Sequence, residues 1–274
     1  MTVAEALREA TQRLGASSDT ARLDAEYLMA HALGVSRSDL LLHCQGAGTP
    51  DGFDAMLRRR IHGEPLAHIT GEQEFFGRGF IVTPDVLIPR SDSEQVVEAA
   101  LGELADGGRI LDLGTGSGAL LVTLLAERAR SAGIGIEASL AALPVAAANA
   151  ARHGVADRAR MLRADWNAAG WASDLGKFDL VIANPPYIEA DAVLDRSVRA
   201  FEPPAALFAG PEGLDAYRAI VPQLSSLLSP GGVAVLEIGY RQADAVGAIA
   251  GEYGYESILK RDLAERPRTL ILRR

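Results

Sequence analysis

The sequence predicts an α/β fold: a doubly wound, mostly parallel sheet with a small helical domain ahead of it. Three observations carry this. The first seventy or so residues repeat apolar side chains at helical spacing. From residue 93 onward, short apolar runs alternate with helix-like segments, the pattern of strands covered by helices on both faces. A glycine-rich turn, 114–118, lies directly between one such strand and the next helix. A length of 274 residues suits one α/β domain plus a smaller helical one.

The helical part begins with Val3, Ala6, Leu7, Ala10 and Leu14, and Gly15 can end that segment. A second helix is expected over 18–33, with Leu23, Tyr27, Leu28 and His31 along one side and Gly34 as its stop. A third is expected over 51–62, acidic at its start and basic at its end, before Gly63. The texture then changes. Residues 74–82 place aromatic and β-branched side chains around Gly77 and Gly79, which predicts a β-hairpin connecting two domains. Strands follow at 109–113, 133–137, 179–183, 233–238 and 268–272, with a weaker one around 160–162. Helical patterns at 119–130 and 140–153 separate the early ones. The expected division is a helical domain over 1–72, a hairpin connector over 73–83 and an α/β domain over 84–274.

Composition narrows the function classes. A hydrophobic fraction of 48% with 23% charged residues describes a globular chain rather than a disordered one. No apolar run approaches the roughly 20 residues that span a bilayer. The first fourteen residues lack the basic start and apolar block of a signal peptide, so a cytoplasmic location is expected. The single cysteine, Cys44, allows no internal disulfide, and the five scattered histidines form no zinc-like spacing, so no metal is expected. Cys44 follows Leu40-Leu41-Leu42 and reads as a buried bystander. A net charge of −9 argues against a broad electrostatic grip on nucleic acid. The run Arg58-Arg59-Arg60 reads as a solvated helix face.

The turn Gly114-Thr115-Gly116-Ser117-Gly118 lets backbone approach a ligand closely, and the following helix start offers free N–H groups. Glu137 ends the next strand, where a carboxylate can accept hydrogen bonds from both hydroxyls of a ribose. Gly114, Gly116 and Ala119 also satisfy a loose dinucleotide fingerprint, so the turn alone chooses no cofactor. A Walker-type phosphate loop is excluded, because no Gly-Lys-Ser or Gly-Lys-Thr follows. At the next strand end, Asp165 can accept from an adenine amino group and Trp166 can cover an adenine face.

The strand 179–183 runs straight into Asn184-Pro185-Pro186-Tyr187. Prolines fix the backbone and hold their carbonyls as rigid acceptors, and Asn184 adds a carboxamide on a short stem. Together they make a cradle for a planar amino group whose two protons are accepted and whose nitrogen faces an electrophile. Tyr187 can pack on the substrate or wall the channel through which the transferred group passes. A plain proline turn would need neither the neighbouring glycine loop nor the acidic strand end. No general base is apparent for the proton that must leave.

At these residues the chain resembles the protein-(glutamine-N5) methyltransferases of class 1 release factors. Gly63 to Gly71 resembles that family's interdomain segment, with His68 where tyrosine is commoner. Val86 to Arg90 followed by Asp92-Ser93-Glu94 is similar to its next landmark, with Ser91 replacing a usual proline. Gly114 to Gly118 and Asn184 to Tyr187 resemble its methyl-donor and glutamine motifs, and Glu137 stands where aspartate is commoner. Phe201-Glu202-Pro203, Ala206-Leu207, Gly213-Leu214, Tyr217-Arg218 and Glu237-Ile238-Gly239 continue the likeness.

The resemblance implies a Rossmann-like class I S-adenosylmethionine-dependent methyltransferase domain. S-adenosylmethionine is then expected on the 114–118 loop, Glu137, Asp165, Trp166 and Asn184. The substrate glutamine, from the Gly-Gly-Gln loop of a release factor, is expected at Asn184, Pro185, Pro186 and Tyr187. The helical domain is expected to help hold that protein. A glutamine methyltransferase acting on a ribosomal protein ranks behind, because its landmark after Pro-Arg-Ser differs from Asp92-Ser93-Glu94. An adenine-N6 nucleic-acid methyltransferase fits Asn-Pro-Pro-Tyr but not the acidic balance. A nicotinamide-dependent oxidoreductase would need a hydride-site acid or base beside Asn184, and none is apparent. A non-catalytic binding protein fits worst, since both halves of a transfer site are present.

Overall fold

The computed structural model describes residues 1–274. Chain contacts divide it into two units. The first comprises Met1–Glu72 with Leu194–Phe201, and the second Gln73–Val193 with Glu202–Arg274.

The first unit holds helices α1 (Val3–Leu14), α2 (Ala21–Leu33), α3 (Arg37–His43), α4 (Phe53–Ile61) and α5 (Leu66–Thr70). A capping box starts α1: Glu5 N donates to Thr2 Oγ1 at 3.3 Å and Thr2 N to Glu5 Oε2 at 2.8 Å. The five apolar residues expected to line α1 are all buried. On α2 the structure corrects the expected face. Leu23, Tyr27 and His31 are exposed, and Ala25, Leu28 and Met29 enter the core beside buried Asp24 and Glu26. Those carboxylates are tolerated because arginines pair with them: Arg60 with Asp24 at 2.7 Å, and Arg22 and Arg37 with Glu26 at 2.8 and 2.7 Å. The Arg58-Arg59-Arg60 run is thus not simply a solvated face. Arg60 is largely covered, and Arg59 pairs with Glu64 at 2.5 Å. Cys44 is half-buried against this core at the end of α3.

The second unit opens with the hairpin β1 (Glu72–Phe75) and β2 (Arg78–Ile81), the first residue of which belongs to the first unit. Its two-residue turn, Phe76-Gly77, has φ of 51° and 68°, as a type I′ turn requires. Phe76 tolerates this conformation while its N–H donates to Glu94 Oε1 at 2.9 Å.

The main sheet contains β3 (Arg109–Leu113), β4 (Ala132–Glu137), β5 (Ala159–Arg163), β6 (Phe178–Ala183), β7 (Leu228–Glu237), β8 (Glu256–Arg261) and β9 (Pro267–Arg273). Their order is β5-β4-β3-β6-β7-β9-β8, parallel except for β9, which runs antiparallel to β7 and β8. Helices α6 (Glu94–Glu103), α7 (Ala119–Glu127) and α8 (Ala142–Arg152) accompany the first strands. After α9 (Arg196–Phe201), which belongs to the first unit, come α10 (Asp215–Ile220), α11 (Leu224–Leu227) and α12 (Ala243–Glu252).

Strand alternation explains the layers. Ile110, Leu180, Ile182, Val233, Val235 and Ile271 face one core with α6 and α7. Leu111, Leu113, Val181, Ala183, Ala234 and Leu236 face the other, against Tyr217, Leu224 and Val246. Asn149 on α8 joins the hairpin to the glycine turn. Its Oδ1 accepts from Ile81 N at 2.7 Å, and its Nδ2 donates to the carbonyls of Ile81 and Ser117 at 2.9 and 2.8 Å.

Asn149 is fully buried, so losing its side chain strands backbone groups away from water. Asn149→Ala is expected to lower the unfolding free energy by about 1–3 kcal/mol. The measurement is the urea midpoint at unchanged slope; an unshifted midpoint contradicts this account.

Candidate active site

Three strand ends meet at one level. Leu113 of β3 is opposite Ile136 of β4 on one side and Ala183 of β6 on the other. The residues that follow, Gly114, Glu137 and Asn184, therefore leave the sheet together at its carboxyl edge, where ligands of doubly wound sheets bind. A cavity of about 690 Å³ opens there, within the size range of small-molecule sites.

The glycine turn forms one wall. Gly114 N and Thr115 N donate to the Ile136 carbonyl at 3.0 and 2.9 Å, folding the turn over the end of β4. Gly114 has φ of 75°, and a Cβ there would meet the Trp166 ring at 3.1 and 3.2 Å. Glycine is needed for both reasons. Glu137 braces the turn, its Oε2 accepting from Gly116 N at 3.0 Å and its Oε1 from Ser139 N at 2.9 Å. Each carboxylate oxygen retains a lone pair, so a ribose diol can still be accepted. Asp165 is exposed at the rim, with Oδ1 accepting from Asn167 N at 2.8 Å.

Asp112, beneath the turn, is wholly buried. Thr115 Oγ1 donates to its Oδ2 at 2.6 Å, and its Oδ1 has no hydrogen-bond partner. Burial pushes its carboxyl up to about 7, with the charge of Glu137 adding to the rise and the Thr115 hydroxyl opposing it.

Asn184 and Pro186 line the opposite wall. Asn184 Nδ2 donates to Ser93 Oγ at 3.2 Å. Tyr187 departs from expectation, because it does not line the cavity. Its hydroxyl donates to Glu237 Oε1 at 3.4 Å, and burial together with the Glu237 charge pushes its own ionisation up. Its carbonyl accepts from Gln242 Nε2 at 3.0 Å, and Gln242 Oε1 accepts from Gly239 N at 3.0 Å. Tyr187 therefore locks the turn from behind. Glu237 is 1% exposed; burial pushes its carboxyl up to about 7, against the Ser93 hydroxyl, Arg268 and the Tyr187 hydroxyl.

Of the sequence-predicted residues, the cavity brings together Gly114, Thr115, Gly116, Ser117, Glu137, Asp165, Trp166, Asn184 and Pro186. Pro185 is buried beneath it. Gly118 starts α7 and faces Val122 and Ala146 rather than the cavity. Ser93, Asp112 and Asn149 were missed. Ser93 and Asp112 stand inside noticed motifs, but nothing in their spacing says that one meets Asn184 and the other is buried.

Residues 5–71 match the family described as the PrmC N-terminal domain, and residues 104–250 match a methyltransferase domain. The release factor glutamine methyltransferase of Cereibacter sphaeroides is 45% identical over 260 residues, spanning 93% of this chain and 91% of that protein. That of Nitratidesulfovibrio vulgaris is 42% identical over 284 residues, spanning 98% and 94%. A solved methyltransferase structure from Pyrococcus furiosus shares the fold, with a TM-score of 0.56 at 16% identity, covering 80% of this chain and 98% of that one.

The buried carboxyls have a consequence for stability. Because the folded value of Asp112 lies above its ordinary 3.8, the folded protein binds that proton more tightly than the unfolded chain does. The stability it contributes is fully present below about pH 4 and is lost as pH rises through about 7. Asp112→Asn is expected to lose less stability than wild type between about pH 5 and about pH 8. Glu237 keeps its own share, so some fall remains. Urea titrations at the two pH values measure this, and equal falls in both proteins contradict it.

Proposed function

The chain belongs to the release factor glutamine methyltransferase family, and from that premise we propose that it transfers a methyl group from S-adenosylmethionine to the side-chain amide nitrogen, N5, of the Gly-Gly-Gln glutamine of class 1 peptide chain release factors. The observation that supports this best is the shared cavity, with a glycine turn and carboxylate on one wall and Asn184-Pro185-Pro186 on the other.

The residues present fit the methyl donor. The Gly114 turn leaves room beside the Trp166 ring, and Glu137 keeps acceptor capacity for two hydroxyls. Gly114, Thr115, Gly116, Ser117 and Glu137 would hold it, with Asp165 and Trp166 at its base end. When bound, it supplies an electrophilic methyl group on a sulfonium.

The chain's own work is orientation. An amide nitrogen is a poor nucleophile because its lone pair is delocalised, so rate must come from closeness, alignment and excluded water. Asn184 Oδ1 accepts one amide proton, and a proline carbonyl accepts the other. These contacts turn the nitrogen toward the methyl group and favour electron density on it as the new bond forms. Methyl transfer makes one N–C bond, breaks the donor's S–C bond and must be followed by loss of one amide proton.

The first unit, with no chemical motif of its own, is assigned to gripping the release factor. No helix is long and apolar enough to cross a membrane, and the reaction is placed in the cytoplasm, where release factors act.

Incubation of a purified release factor with enzyme and S-adenosylmethionine is expected to add one methyl group to its Gly-Gly-Gln peptide, read by intact mass and peptide fragmentation. Absence of that gain, or a methyl elsewhere, overturns the substrate assignment. Asn184→Ala is expected to slow single-turnover transfer by roughly 10²–10³-fold with the fold and most donor binding kept. Asn184→Asp keeps the size and an acceptor but places charge beside the sulfonium, attraction that fades as the methyl leaves. It is expected to be slow as well. Rates near wild type for both variants remove Asn184 from the mechanism.

A further inference from the structure

The stretches Val86–Arg90 and Glu202–Pro203 carry no group that the transfer reaction uses, yet a buried carboxylate joins them. Glu202 is 4% exposed, and both of its oxygens are occupied: Oε2 accepts from Ile88 N at 3.1 Å, and Oε1 accepts from Arg90 Nη2 across 112 positions of sequence. Neither stretch belongs to a helix or strand, so no backbone ladder fixes their separation. Both wall the cavity, with Val86, Leu87 and Pro89 on one and Pro203, Ala206 and Phe208 on the other and the chain that follows it. Each is also bonded to the proline turn. Ser93, three residues past Arg90, accepts from Asn184 Nδ2 at 3.2 Å. Ile188, next after Tyr187, donates to the Leu207 carbonyl and accepts from Ala209 N, both at 2.9 Å. The proline turn and the two walls therefore form a ring of three segments, and Glu202 closes it.

Resting on the reading that this cavity methylates a side-chain amide, we propose that Glu202 and Arg90 are positioning residues that hold the two apolar walls beside the proline turn at a fixed separation, and so aim the aliphatic stem that carries the amide. The stem has no polar group, so only the walls can direct it. A gap of about 0.5–1 Å already forfeits a quarter to a half of a contact's attraction, so the walls guide the stem only if they stand still. Two loops in apolar contact can slide past each other. A buried carboxylate that accepts from two donors on one loop cannot shift without leaving a donor or an oxygen unpaired. Packed apolar residues would stabilise the junction as well as this ion pair does. The pair adds a set distance, which transfer by alignment requires.

Single-turnover transfer to release factor, with both substrates saturating and the rate taken per donor-binding site, tests this. Counting donor sites removes the effect of a smaller folded fraction. Glu202→Gln keeps the shape but sets an amide N–H against one of the two donors. It is expected to slow the methyl step by roughly 10–100-fold, with donor affinity kept within about threefold. Arg90→Ala, at a side chain partly in solvent, is expected to slow it about tenfold, and Arg90→Lys to recover most of that loss. The double variant Arg90→Ala/Glu202→Gln is expected to be no slower than Glu202→Gln alone, since both act through one link. A wild-type rate per site in Glu202→Gln or in Arg90→Ala overturns the proposal. So does a lysine variant no faster than alanine, or a double variant in which the two losses multiply.

A second measurement needs no acceptor protein. The amide hydrogens of Ile188 and Ala209, which tie the proline turn to the second wall, are expected to exchange about tenfold or more faster in Glu202→Gln than in wild type, with those of β3 and β6 little changed. Unchanged exchange at Ile188 and Ala209, or a rise of the same factor in β3 and β6, overturns the proposal. Faster exchange confined to the wall in an enzyme that leaves release factor unmethylated supports the clamp and overturns only the substrate assignment.

Discussion

The site depends on the register in which β3 pairs with its two parallel neighbours. Leu113 opposite Ile136 brings Gly114 over the carbonyl at the end of β4, and Leu113 opposite Ala183 brings Asn184 level with the same turn. Strand side chains alternate, so a slip of one residue would move a buried set to the opposite face. Ile110 and Leu111, or Leu180 and Val181, serve different cores, so each strand is specified from both sides. Two well-packed layers therefore fix the relative height of the glycine-turn and proline-turn walls to well within one residue's rise of about 3.3 Å. Methyl transfer by alignment needs that precision more than it needs any reactive side chain.

Burying charge is the cost of this arrangement. Asp112 and Glu237 sit at the ends or middles of apolar strands, each with an oxygen lacking a hydrogen-bond partner. A packed apolar residue at either position would relieve that penalty. Their retention makes physical sense where a hydrogen bond has to point one way. Asp112 holds Thr115 within the glycine turn, and Glu237 meets the two tyrosines behind the proline turn. Apolar side chains fill space but set no direction. These carboxylates do.

Much of the α/β unit was legible because its strands are short, apolar and separated by strong helical patterns. The six expected strands exist, and Gly114, Glu137 and Asn184 converge as strand-end positions in a parallel sheet should. What was not legible depends on tertiary pairing. β8 reads Glu-Ser-Ile-Leu-Lys-Arg, a polar edge strand whose pattern carries no burial signal, yet it pairs along β9. On α2, Leu23 and Tyr27 looked like core, whereas Asp24 is buried against Arg60, thirty-six residues on, and Glu26 against Arg22 on the same helix and Arg37 on the next. Residues 194–201 group with a unit that otherwise ends more than a hundred positions earlier. The side-chain direction of Tyr187 was equally hidden, because it is set by Glu237, fifty residues downstream.

The proline turn by itself does not separate an amide from an adenine amino group. Both offer a planar nitrogen with two protons, and an asparagine oxygen with a rigid carbonyl can accept either pair. Discrimination has to come from what carries the amino group to the turn. A nucleic acid brings phosphates, and a chain of net charge −9, several of whose exposed arginines are tied to carboxylates, offers them little. A protein loop brings backbone and a slender aliphatic stem, and needs a narrow apolar approach instead. The cavity wall beyond Asn184 includes Pro203, Ala206 and Phe208, on a segment hydrogen-bonded to Ile188 just past the proline turn. That wall is apolar and continuous with the proline turn. The chemistry selects a planar amino group; the apolar wall beside it favours one borne on a peptide side chain.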